Sequence, residues 1–118
     1  MNSIFDIVDK NEKTIVVLTK DDSMGSGFMF NNDNTGYTGD WHIRKNSGVE
    51  YIVIYHRNDE SINIIYKATI TSVELLDNIN YMKPRYIIKF KEIKKLGITD
   101  KNWCDFMNSG SNPIRYIN

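Results

Sequence analysis

Four places in the chain set flat side chains beside cations or near them: Tyr37, Trp41 and His42; Tyr55, His56 and Arg57; Trp103; and Arg115 with Tyr116. Side chains of this kind suit one sort of chemistry. An aromatic ring or a guanidinium plane stacks on a base, while polar donors read the base edge. A flipped or unpaired base also suits an aromatic-walled pocket. The competing use of Trp41 and Trp103 is as core residues whose indole N–H groups find carbonyls.

Other chemistries are less well served. Gly25-Ser26-Gly27-Phe28 followed by Thr38-Gly39-Asp40-Trp41-His42 faintly resembles the early strands of trypsin-like proteases. No later Gly-x-Ser-Gly nucleophile follows, and a triad needs an activated serine beside an oxyanion hole. His42, His56 and Cys104 lack the paired spacings of a zinc site. No Gly-rich phosphate loop occurs. Asp21 with Asp22, and Asp59 with Glu60, stand in polar turns, where a carboxylate pair keeps ordinary acidity. Cys104, the single cysteine, is expected to be buried and structural, because a nucleophilic cysteine needs a cation beside it. A small hydrolase using Cys104 or a carboxylate is therefore the least favoured reading. The expectation is a binding protein without catalysis, cofactor or metal.

The background fits that expectation. At 118 residues the chain suits one domain, residues 1–118, with one core. The N-terminus has no basic region followed by an apolar run, so no signal peptide is expected. No apolar stretch approaches a membrane span. With one cysteine this predicts a cytoplasmic protein. Net charge is zero but unevenly spread. Residues 1–40 hold three lysines against seven acids, and residues 41–118 hold twelve Lys or Arg against eight acids. A basic half can face phosphates.

These residues need elements to position them. Ser3 can cap a short helix over residues 3–9, burying Ile4, Phe5, Ile7 and Val8. Thr14–Thr19 and Phe28–Phe30 read as strands of a hairpin turning at Asp21–Gly27. A turn at Asn31–Gly36 leads to a strand from Tyr37 to Ile43. Val49–Arg57 is apolar on both faces, as a central strand is, and Arg57–Ser61 is a turn. From Ser61 to Val73 apolar and polar residues alternate with the period of a half-buried strand. Glu74–Pro84 reads as a long loop. Arg85–Lys91 alternates again, with Tyr86, Ile88 and Phe90 on one side. Residues 100–108 read as a short helix capped by Asp100 and ended by Gly110. Ile114–Ile117 reads as a last strand. The predicted fold is mainly β: a strongly bent sheet or small barrel of six or seven strands, flanked by one or two short helices.

From Tyr37 to Ile117 the order of these elements resembles the PUA-like superfamily, which includes EVE, ASCH and YTH domains. The resemblance rests on the aromatic strand ending near Asp40-Trp41, the central Tyr51–Arg57, the strand Ile64–Val73 with its Ser72-Val73, and the basic strand Arg85–Lys91. Gly48-Val49-Glu50 stands where a Gly-Asp dipeptide is often found. The resemblance implies a bent β-barrel, residues 37–117, whose pocket reads an unpaired or modified base in RNA or DNA. It implies Trp41 and Tyr55 as pocket walls, His56 and Arg57 as contacts to base or phosphate, and Trp103 as a further aromatic. Such domains also occur in restriction and anti-phage systems. The alternative is a protein-interaction or assembly domain, of viral or phage-defence type, whose exposed aromatics meet another chain.

Overall fold

A computed structural model describes residues 1–9, 11–20, 27–43, 48–57, 62–76 and 85–117. Among them one sheet holds seven strands: β1 (Thr14–Lys20), β2 (Gly27–Phe30), β3 (Thr35–Trp41), β4 (Tyr51–Arg57), β5 (Asn63–Leu76), β6 (Arg85–Thr99) and β7 (Ile114–Ile117). A 3-10 turn at Ile4–Asp6 and one helix, α1 (Trp103–Met107), complete it. The fold is mainly β, as the alternating runs predict. The strands lie in the order β2-β3-β6-β5-β4-β1-β7, and the sheet bends without closing.

The centre follows from the burial each strand demands. Ile15, Val16 and Val17 of β1, and Ile52, Val53 and Ile54 of β4, are all fully buried, so these strands are covered on both faces. Such continuous apolar runs are typical of parallel strands. β1 and β4 pair in parallel, Thr14 opposite Tyr51 through Lys20 opposite Arg57. The hairpin predicted between Thr14–Thr19 and Phe28–Phe30 does not form. β1 pairs with β4 and β7, and β2 pairs with β3. A two-stranded hairpin would leave both faces of β1 uncovered. The predicted turns at Asp21–Gly27, Arg57–Ser61 and Glu74–Pro84 fall largely outside the described residues.

β5 and β6 form the longest pair, from Asn63 opposite Thr99 to Leu76 opposite Arg85. Glu74 therefore belongs to a strand, and β6 runs eight residues beyond the predicted end at Lys91. The register shifts three times along this pair. Glu92 and Gly97 take positive φ, of 55° and 155°. Each irregularity inserts a residue or turns the chain, so alternation is lost while pairing continues.

The strands alternate their side chains between two faces. The inner face gathers Ile15, Val17, Trp41, Ile43, Ile52, Ile54, Ala68, Tyr86, Ile88 and Phe90 inside the bend. The outer face carries a second cluster: Val16, Val53, Tyr55 and Ile65 beneath Ile4, Val8, Trp103, Phe106 and Met107. Its strand members come from β1, β4 and β5, so the 3-10 turn and α1 cover that half of the face and, among the described residues, leave β2, β3 and β6 as far as Lys94 uncovered. Each fully buried aliphatic side chain contributes about 1.5–3 kcal/mol relative to exposure. Gly36 sits where β3 runs close to its neighbours; a Cβ there would overlap the Met29 carbonyl oxygen and stand 2.8 Å from the Phe90 ring.

The local caps differ from expectation. Ser3 does cap the first turn, reciprocally with Asp6, but the turn is three residues long and Phe5 is exposed. α1 is capped by Asn102, which accepts the Asp105 amide at 2.8 Å, and ends at Asn108 in the left-handed region. Asp100 and Gly110 lie outside it. Helical spacing turns Trp103, Phe106 and Met107 inward and leaves Cys104, expected to be buried, exposed. Among the described residues no helix is long and apolar enough to cross a membrane.

Candidate functional site

The five residues expected to form one pocket are distributed over both faces and both ends of the sheet. Trp41 is 4% exposed in the inner cluster, and its indole N–H donates to Thr38 Oγ1 at 3.1 Å. Tyr55 is 1% exposed in the outer cluster, and its hydroxyl donates to the Lys101 carbonyl at 2.6 Å. Trp103 is 7% exposed and meets Tyr55 edge to face, with centroids 5.3 Å apart. Its indole N–H donates to the Asn112 carbonyl at 2.9 Å. His56 is buried, with Nδ1 2.7 Å from Thr19 Oγ1. Arg57 is exposed beside Lys20.

The topology explains the separation. Trp41 pairs with Tyr86 at the start of β6, whereas His56 pairs with Ile64 near the start of β5, which pairs with the end of β6. Trp41 and Arg57 both stand at strand ends, as the sequence implies, but at opposite ends of the sheet. A single pocket walled by Trp41 and Tyr55 is not formed.

The Tyr55 environment has a measurable consequence. Burial pushes its phenol up to about 12, against a smaller downward pull from Arg57. A folded pKa above the ordinary value of 10 means that the neutral phenol's contribution is complete below pH 10 and is lost as pH rises through 12. Urea unfolding across that window should show wild-type protein losing about 2–3 kcal/mol that Tyr55→Phe does not lose. Parallel pH profiles for the two proteins would contradict the burial of the hydroxyl.

Two of the four aromatic and cationic groups do converge. As the sheet curls, the end of β3 approaches β7, and His42, Asn112, Ile114, Arg115 and Tyr116 line a cleft of about 320 Å3. His42 and Arg115–Tyr116 lie at distant places in the sequence but face one volume. Among the described residues no carboxylate lines it. The walls are held from behind. Trp103 fixes the Asn112 carbonyl, Asn112 Oδ1 accepts the Ile114 amide at 3.1 Å, and the Pro113 carbonyl accepts the Leu18 amide at 2.9 Å. Ile114 and Tyr116 pack against the inner cluster that contains Trp41. His42 follows Trp41 and Arg85 precedes Tyr86; Trp41 and Tyr86 are the last pair of the β3–β6 ladder. The cleft thus offers a guanidinium, an imidazole, a phenol and an amide on an anchored frame. Such a set can stack a planar group, donate to its edge and hold an anion.

The sequence singled out Trp41 where the adjacent residue lines the cleft. Arg115 and Tyr116 were visible as an aromatic beside a cation, but only the curl of the sheet joins them to His42. Among the described residues no group of three His, Cys, Asp or Glu side chains is placed to hold a metal ion. Comparison with protein-family models, with curated proteins and with solved structures returns no match to the chain.

Proposed function

We propose that this chain is a nucleic-acid-binding module, of PUA-like kind, that receives one unpaired or modified base in the cleft between β3 and β7. The observation that carries the reading is the convergence of His42, Asn112, Arg115 and Tyr116 on one cleft with no carboxylate among its described lining residues. At about 320 Å3 the cleft stands at the small end of ligand sites, which span roughly 300–1,000 Å3. That size suits one nucleotide unit better than a large cofactor. Tyr116 supplies a ring for stacking, Asn112 an amide for the base edge, and Arg115 a fixed charge for phosphate. Trp41 and Trp103 support the walls from the two cores. The proposed setting is cytoplasmic, on the strength of the lone cysteine.

Fluorescence titration of the wild-type protein with labelled nucleoside monophosphates and short single strands tests the reading. Binding at low salt that weakens as salt rises is expected, because each phosphate contact releases counterions. Failure of every nucleotide and oligonucleotide at low salt removes the proposal.

A protein-assembly role has its own support. Ile62, Leu96 and Ile98 are exposed near one another, where the start of β5 meets the end of β6. Exposed apolar groups of this kind mark interaction surfaces when contiguous. Concentration-dependent association that Ile98→Lys abolishes would favour that role.

A further inference from the structure

The half of the outer sheet face that the helices leave uncovered carries its own pattern. Tyr37 on β3 is 42% exposed and stands opposite Lys89 on β6, with Met29 of β2 on its other side. Thr35 stands opposite Lys91 in the next outward row. Beyond the irregularity at Glu92, Lys94 takes up the same face opposite Lys67. At the other end of β6, Arg85 precedes Tyr86, the partner of Trp41, and so lies toward the end of the sheet where His42 lines the cleft. Outward positions two apart on a strand stand about 6.6–6.8 Å from each other. Lys89, Lys91 and, past the irregularity, Lys94 therefore form a row of cations along one strand, with Arg85 on the same strand toward the end nearer the cleft.

Among the described residues, Glu74 and Glu92 accompany this row. Glu74 meets Lys89 at 3.0 Å, with both side chains half exposed. Such a pair is weak and can yield to a phosphate. Glu92 accepts the Thr69 hydroxyl at 3.3 Å. Lys91 and Lys94 make no ion pair among the described residues. An exposed ring beside lysines on an uncovered sheet is the combination that single-stranded nucleic acid uses, with bases on aromatic faces and the backbone along the cations. A duplex hides its bases and cannot use Tyr37.

We infer that the uncovered face of β2, β3 and β6 is a platform for the strand that leaves the cleft, so that the ligand is a single strand of several nucleotides rather than a lone nucleotide or a duplex. Phosphates follow Lys89 and Lys91, and a base stacks on Tyr37. The inference rests on the proposed nucleotide cleft, and the two are separable by length.

The experiment titrates wild type, Tyr37→Ala, Lys91→Ala and Glu74→Gln with a labelled mononucleotide, with single strands of increasing length, and with a blunt duplex. Melting curves confirm that each variant is folded. Wild-type affinity should rise with length over several nucleotides and then level off, with the duplex bound more weakly. Tyr37→Ala should remove about fivefold or more of that gain. Lys91→Ala should lower the salt slope by about 0.7. Both should leave mononucleotide binding unchanged, and Glu74→Gln should strengthen the longer strands. A mononucleotide that binds as tightly as any strand overturns the platform and leaves the cleft standing. So does a length gain that survives Tyr37→Ala and Lys91→Ala, or a duplex bound as well as a single strand. A protein partner captured through Tyr37 and Lys91, with no gain from length, overturns it likewise. Failure of all nucleotides to bind removes the platform and the cleft reading together.

Discussion

Trp41→Ala should destabilise the protein by about 3–5 kcal/mol, the usual range for emptying a large aromatic site in a core. The side chain is 4% exposed among ten buried residues of the inner cluster, and its indole N–H is satisfied by Thr38. Removing it opens a cavity in the inner cluster and leaves the Thr38 hydroxyl without that donor. Domains of this size hold about 5–15 kcal/mol in total, so the variant sits near the edge of folding. Trp103→Ala should cost a similar amount from the outer cluster, through its contact with Tyr55 and its hydrogen bond to Asn112. Urea unfolding measures both. Trp41→Phe is the informative companion, because it keeps most of the ring volume and should recover much of the loss. If Trp41→Ala instead left stability unchanged while abolishing nucleotide binding, Trp41 would be a pocket wall and not a core residue.

The contrast between Trp41 and His42 shows how far the sequence carries. Strand parity puts adjacent residues on opposite faces, so one position separates a core ring from a cleft-lining imidazole. The alternation of Ser61–Val73 was readable because one face is buried and the other wet. β1 carried a signal too: Ile15-Val16-Val17 is apolar at consecutive positions, as a strand covered on both faces must be. That pattern argues against a terminal hairpin and for a central strand. What it cannot name is the partner, because β4 is separated from β1 by two intervening strands and nothing local encodes that choice. The length of β6 was hidden for another reason. Glu92 at positive φ and the register shifts break the period of two without ending the ladder. The cleft was half legible: each of its cationic and aromatic groups stood out alone, and their meeting depends on the bend of the whole sheet.

Arg115→Ala should weaken nucleotide binding by about tenfold to a hundredfold, the loss of a hydrogen bond to a charged group of about 1.5–3 kcal/mol. Arg115 sits on the short edge strand β7, opposite Val16, and lines the cleft beside Tyr116. Its side chain is half-buried, so truncation should change stability much less than either tryptophan substitution does. Arg115→Lys separates two uses of the guanidinium. Lysine keeps the charge and loses the planar fork. If Arg115 meets a phosphate as a charge, lysine should restore most of the affinity and the salt slope. If it grips a base edge or phosphate through two parallel hydrogen bonds, lysine should bind nearly as poorly as alanine while the salt slope stays near that of wild type. Tyr116→Ala provides the matching test of stacking, worth about 1–3 kcal/mol per base. Combined with Arg115→Ala it should lose less than the product of the single effects, because residues that share one ligand do not act independently. Nucleotide affinity unchanged in Arg115→Ala, with the variant folded, would move the binding site away from the cleft between β3 and β7.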